Sequence, residues 1–249
     1  MTGGRLAHII RHPIKGHGRE VLASVRLSAG ECLPWDRHWA VAHDAAKLTE
    51  GWNPCMNFAR GAKAYALNAI ESDLDEATAT VTLRHPDRGA ITFRPDDPAD
   101  LPRFLDWVRP LNPENRAQPA QIISAARGMT DSDFPSVAIL NTASLKDLSA
   151  RMGHDLSIHR WRGNLWLDGV APWAEWDWIG RDIRIGEAVL NIRERITRCM
   201  ATTVEPATGI SNANTLDALQ SHFGHQDFGL YAVVVNGGTI ATNDAWTLA

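Results

Sequence analysis

Apolar and polar residues alternate along this chain in short runs separated by turn residues, the pattern of a β protein. Residues 6–11 form an apolar segment that Pro13 stops, and residues 21–27 alternate as a half-buried strand. Further strands are predicted over 64–71, 78–85 and 90–94, divided by turns at 72–75 and 86–89, a spacing that suits a small barrel or sandwich. One short helix is predicted over 100–108. The stretch 109–119 is rich in proline and asparagine and has no apolar period, so it predicts the boundary between two halves, residues 1–115 and 116–249. Strands at 121–126 and 137–140 open the second half. Asn141 or Thr142 can then cap a helix reaching about Met152, because either side chain accepts the free amides of a first turn. Residues 158–167 alternate strongly, which predicts a strand with Arg160, Arg162 and Asn164 on one face and Trp161 and Leu165 on the other. A short amphipathic helix over 215–223 and a closing strand over 228–235 complete the expectation. The fold class is mainly β (α+β), with two barrel-like halves and a few short helices.

At 249 residues the chain can form one large domain or two small ones. A net charge of -4 advertises no nucleic-acid surface. Its positive charge is mostly arginine, with lysine only at Lys15, Lys47, Lys63 and Lys146. Arginine's planar fork suits oxyanions, though a GC-rich genome produces the same bias. Cys32, Cys55 and Cys199 are odd in number and widely spaced, which argues against a disulfide framework and for a reducing compartment. With no apolar run of membrane-spanning length and no signal-peptide core, the expected location is cytoplasmic, away from membranes.

Chemistry concentrates in residues 185–209, where an apolar strand runs into Arg193, Arg195, Arg198 and Cys199, then a polar loop closing at Pro206 and Gly209. Positive neighbours stabilise a thiolate, which can attack an electrophile or bind a soft metal. The same cysteine can equally be a small buried residue beside ion-paired arginines. Lys15, between strand end and the turn glycines Gly16 and Gly18, is either a phosphate corner or an exposed turn lysine. Likewise the Arg160–Arg162–Asn164 face holds an anion or is simply solvated, and a helix start near Thr142 binds an anion or only its own cap. Cys55 is given no chemistry, and His222 and His225 read as surface residues.

Three separated motifs narrow these choices. The run R-C-x-A-T-x-V-x-P-x-T-G spans residues 198–209, P-I-K stands at 13–15, and a strand with a glycine turn runs over 229–238. Together they resemble the molybdenum cofactor sulfurase C-terminal (MOSC) domain family with its N-terminal β-barrel domain, in particular the amidoxime-reducing members. The resemblance implies a molybdenum cofactor (molybdopterin) in a cleft between the halves, with Cys199 as the metal's protein ligand and the catalytic residue. It also implies phosphate and pterin contacts from Lys15, Gly16, Arg37 in a D-R-x-W strand, Thr142, Ser144, Arg160, Arg162, Asn164 and Arg198. Gly16 stands where the family more often has serine, so a hydroxyl contact is replaced by a backbone amide. The implied activity is reduction of a small N-hydroxylated or N-oxide substrate by oxygen-atom transfer. Some bacterial relatives carry an iron–sulfur cysteine cluster after this domain; none is present through Ala249, so an external flavin or iron–sulfur electron donor is expected. The alternative is a carrier of molybdenum cofactor or sulfur that uses Cys199 without reducing a substrate.

Overall fold

In the computed structural model, which describes residues 3–248, seven strands close on themselves. Around the barrel they run Leu165–Asp168, Val137–Asn141, Asp227–Asn236, Ala188–Thr197, Asp182–Ile185, Ala245–Leu248 and Gly3–Arg11, which pairs back onto Leu165–Asp168. Only Val137–Asn141 and Leu165–Asp168 are parallel neighbours in this ring. A parallel pair needs a long crossover, and the helix Thr142–Met152 lies within it.

Val137–Asn141 and Leu165–Asp168 are buried on both faces. In Leu165–Asp168, Leu165 and Leu167 join Ile139, Ile192 and Leu230 in one core. Trp166, pointing the other way, packs with Leu145, Leu148, Leu219 and Phe228 in another. The first half builds a third core around Trp39, Leu67, Phe93, Phe104 and Val108. Its strands Ile14–Lys15 and Trp39–His43 form a three-stranded sheet with Pro119–Ser124 of the second half, and Glu71–Asp75, Thr80–His85 and Gly89–Phe93 form another. Pairing crosses the 109–119 stretch three times: Gly3–Arg11 completes the barrel of later strands, Ser24–Leu27 pairs with Gly238–Ala241, and Pro119–Ser124 pairs with Trp39–His43.

The mainly β fold with three short helices is as expected. These are α1 (Leu101–Val108), α2 (Thr142–Met152) and α3 (Thr215–Phe223). Asn141 caps α2, its side chain accepting from the Ala143 amide at 2.9 Å. Three local expectations are corrected. Residues 64–71 do not form a strand; Tyr65–Ala69 is a 3-10 helix, and the expected turn at 72–75 is strand Glu71–Asp75. Its turn comes afterwards, where Asp75 accepts from the Ala77 amide at 3.0 Å and from Thr78 Oγ1 at 2.7 Å. Residues 21–27 split into Glu20–Leu22, paired with Gly3–Arg11, and Ser24–Leu27, paired with Gly238–Ala241. The alternating stretch 158–167 is a 3-10 helix over Ile158–Trp161, started by Ser157, then a left-handed turn at Arg162, and only then strand Leu165–Asp168. Among the described residues, no helix is long and apolar enough to cross a membrane.

Candidate functional site

Strand Ala188–Thr197 carries the cysteine segment to a pocket between the halves. Its register against Asp227–Asn236 shifts between Ile192 and Glu194 and again between Arg195 and Thr197. A bulge reverses the faces of the residues that follow. Leu190 and Ile192 therefore fill the barrel while Ile196 joins the outer core, and Ile196 to Cys199 come to line the pocket. Cys199 itself is exposed and precedes a 3-10 helix, Met200–Thr203.

The pocket measures about 250 Å³. Lys15, Gly16, Arg37, Cys55 and Arg60 bound it from the first half; Asp131, Arg160, Trp161, Arg162, Arg198, Cys199 and Tyr231 bound it from the second. Six of these residues are basic and one, Asp131, is acidic. Lys15, only 5% exposed, donates from Nζ to the Met129 carbonyl at 2.6 Å and to Asp131 Oδ1 at 2.5 Å. Arg37 pairs with buried Asp36 and donates from Nη2 to the Arg162 carbonyl at 2.8 Å. Arg198 donates to the carbonyls of Phe228 at 2.7 Å and Trp161 at 2.8 Å. Arg160 gives Nη2 to Glu205 at 2.5 Å and to Asn212 at 2.6 Å.

Even so, donors remain. Nε and Nη1 of Arg160, Nη2 of Arg162 and Nη2 of Arg198 are buried without a hydrogen-bond partner among the described residues. Each unmet buried donor costs about 1–3 kcal/mol, more when charged, so a set of them around one pocket calls for an acceptor-rich anion. Burial, with Arg37 adding its repulsion, pushes the Arg162 guanidinium down to about 9, and burial pushes Arg198 down to about 10. Burial also lowers Lys15, against the pull of Asp131. An oxyanion seated here would offset all three effects.

Under the cluster, burial holds His17 down at about 4, while its Nδ1–H donates to the Lys15 carbonyl at 2.8 Å. The unfolded chain would protonate this ring near 6.5. Stability therefore falls as pH drops from that value toward 4, because only the unfolded state takes up the proton. His17→Gln is expected to flatten that part of the profile, read from urea midpoints of the cofactor-free chain between pH 4 and 8; an unaltered slope would contradict the assignment.

The MOSC domain family model matches residues 129–247. Mitochondrial amidoxime-reducing component 1 of Homo sapiens is 29% identical over 203 residues, covering 77% of this chain and 56% of that protein. The protein of the same name from Mus musculus is 30% identical over 154 residues, 57% of this chain and 45% of its own length. Molybdenum cofactor sulfurase of Anopheles gambiae is 26% identical over 149 residues, 52% of this chain and 19% of its own length. Residues 129–247 belong to the MOSC domain family. The chain spans about half the length of the amidoxime-reducing relatives it matches.

The MOSC domain and the first half together bring Lys15, Gly16, Arg37, Arg160, Arg162, Arg198 and Cys199 to one pocket. Arg160 and Arg162 arrive there from a 3-10 helix and a left-handed turn, not from the shared strand face that their spacing predicts. Gly16 sits at φ +75°, and a Cβ there would lie 2.9 Å from the Ala59 carbonyl. Thr142, Ser144 and Asn164 are not among the lining residues, and their polar atoms are used elsewhere. Thr142 Oγ1 donates to Asp168 at 3.1 Å, Ser144 Oγ to Glu175 at 2.6 Å, and Asn164 ties the Ala138 amide to the Ile10 carbonyl. The helix start is occupied by its own cap and a buried carboxylate. Cys55, which the sequence reading gives no chemistry, lines the pocket, as do Asp131, Tyr231 and Arg60, which it does not single out. Tyr231 had a signal, since it lies within the 229–238 motif.

Proposed function

We propose that this chain binds the molybdenum cofactor in the pocket at Cys199 and reduces N-hydroxylated or N-oxide small molecules with electrons from an external flavin or iron–sulfur protein. The observation that carries the reading is an exposed thiol beside buried, partnerless arginine donors in a single pocket. Those residues fit the group: a soft sulfur suits the metal, and the guanidinium donors suit phosphate. Cys199 would be the protein ligand; Lys15, Arg37, Arg160, Arg162 and Arg198 would hold the phosphate and pterin. When bound, the cofactor supplies two-electron oxygen-atom transfer. The chain's own share is orientation: Asp36 and the Arg162 carbonyl fix Arg37, Phe228 and Trp161 fix Arg198, and both guanidiniums reach the ligand already placed.

Molybdenum-loaded protein, a reductase and benzamidoxime should yield benzamidine; absence of turnover with full metal loading would defeat the reductase reading. A second reading is favoured by the exposure of Cys199 and the similarity to a protein named molybdenum cofactor sulfurase. In it the sulfur carries a persulfide or delivers cofactor. Cyanide-releasable sulfur on metal-free protein would support that reading, and its absence would remove it.

A further inference from the structure

A second pocket, of about 220 Å³, adjoins the thiol pocket, and Arg60 lines both. Phe58, on the wall of the second, holds its ring centre 6.0 Å from Nζ of Lys15, on the wall of the first. The second pocket is also lined by His43, Lys63 and Arg116, and by no carboxylate. None of Arg60, Lys63 and Arg116 forms an ion pair among the described residues. Arg60 has its Nη1 on the sulfur of Cys55, at 2.6 Å. In a chain of net charge -4, three unpaired cations around one concavity are a local feature. His43 sits on the same wall, its Nε2 donating to the Met56 carbonyl at 2.8 Å. The Phe58 ring and Met56, 70% exposed, supply apolar surface beside the charges.

We propose that this second pocket is an anion-binding annex that seats the carboxylate or phosphate end of an acidic ligand whose other end reaches past Arg60 into the thiol pocket. Resting on the reductase reading, this assigns the substrate class as N-hydroxylated compounds bearing an acidic group. Arg60 is the hinge of the selection, because it faces both ends of such a molecule, while Lys63 and Arg116 touch only the acidic one.

The full cofactor-free chain is titrated with benzoate by calorimetry, with and without inorganic phosphate as competitor. Lys63→Gln with Arg116→Gln should weaken benzoate binding by about tenfold, and Arg162→Gln should leave it within about twofold. Displacement of benzoate by phosphate assigns both anions to the annex; retention of benzoate assigns carboxylate. On loaded protein, 4-carboxybenzamidoxime should show a lower KM than benzamidoxime, and the double substitution should erase that difference without changing kcat for the neutral compound. Benzoate affinity indifferent to the double substitution, or equal KM values in the unaltered chain, overturns the annex. Failure to turn over either substrate while benzoate still binds at Lys63 and Arg116 removes the reductase reading and leaves the annex standing.

Discussion

Substituting Cys199 by serine is expected to lower benzamidoxime turnover by about two orders of magnitude or more, since even partners that only orient a metal's ligands change affinity or activity by about 10–100-fold. A hydroxyl is a harder, less acidic donor than a thiol, so the purified variant should also retain less molybdenum. Folding should be untouched: Cys199 is exposed and contributes little packing. The matching control is Cys32→Ser, because Cys32 is 8% exposed and lies outside the pocket. The measurements are kcat/KM, metal content and thermal midpoint for both variants. Undiminished turnover in the Cys199 variant would refute its role as ligand.

Asp36→Ala should destabilise the chain by about 3–5 kcal/mol, the usual cost of stripping one partner from a buried charge pair. Asp36 is 1% exposed; Oδ1 accepts from the His12 amide at 2.8 Å, and Oδ2 pairs with Arg37. Burial alone would raise this carboxyl, but Arg37 and His12 outweigh it and hold it well below its ordinary value of 3.8. A depressed carboxylate stabilises the fold above that ordinary value and loses its contribution as pH falls toward its folded one. The deficit of Asp36→Ala, measured by urea unfolding, should thus be full from pH 5 to 8 and shrink below pH 4. Asp36→Asn should recover part of the stability by keeping the His12 contact. A deficit that grows on acidification would contradict the assignment.

What could be read from the sequence follows from how local the determinants are. Helix α2 was legible because Asn141 caps it and an apolar period carries it, both within a dozen residues. The pairing of Gly3–Arg11 with Leu165–Asp168 was not, since nothing near residue 5 specifies a partner some 160 positions away. Alternation misled at 158–167, where Ser157 starts a 3-10 helix and Asn164 bridges two strands instead of standing on one. Arg160 and Arg162 still reach the pocket because tertiary packing brings them there from another backbone conformation. The family resemblance placed Thr142 and Ser144 in a phosphate cradle; the buried carboxylate of Glu175 lies beyond any local pattern, and it takes the Ser144 hydroxyl. Cys55 and Arg60 escaped for the same reason, as their proximity to Cys199 arises only when the two halves meet.

The most direct test of the account is the molybdenum and pterin content of the chain purified from cells that make the cofactor. The account expects close to one metal and one pterin per chain, falling together in Arg162→Gln, with the pterin better retained than the metal in Cys199→Ser. Protein that is fully folded, carries neither group and takes up neither when supplied with cofactor would contradict it.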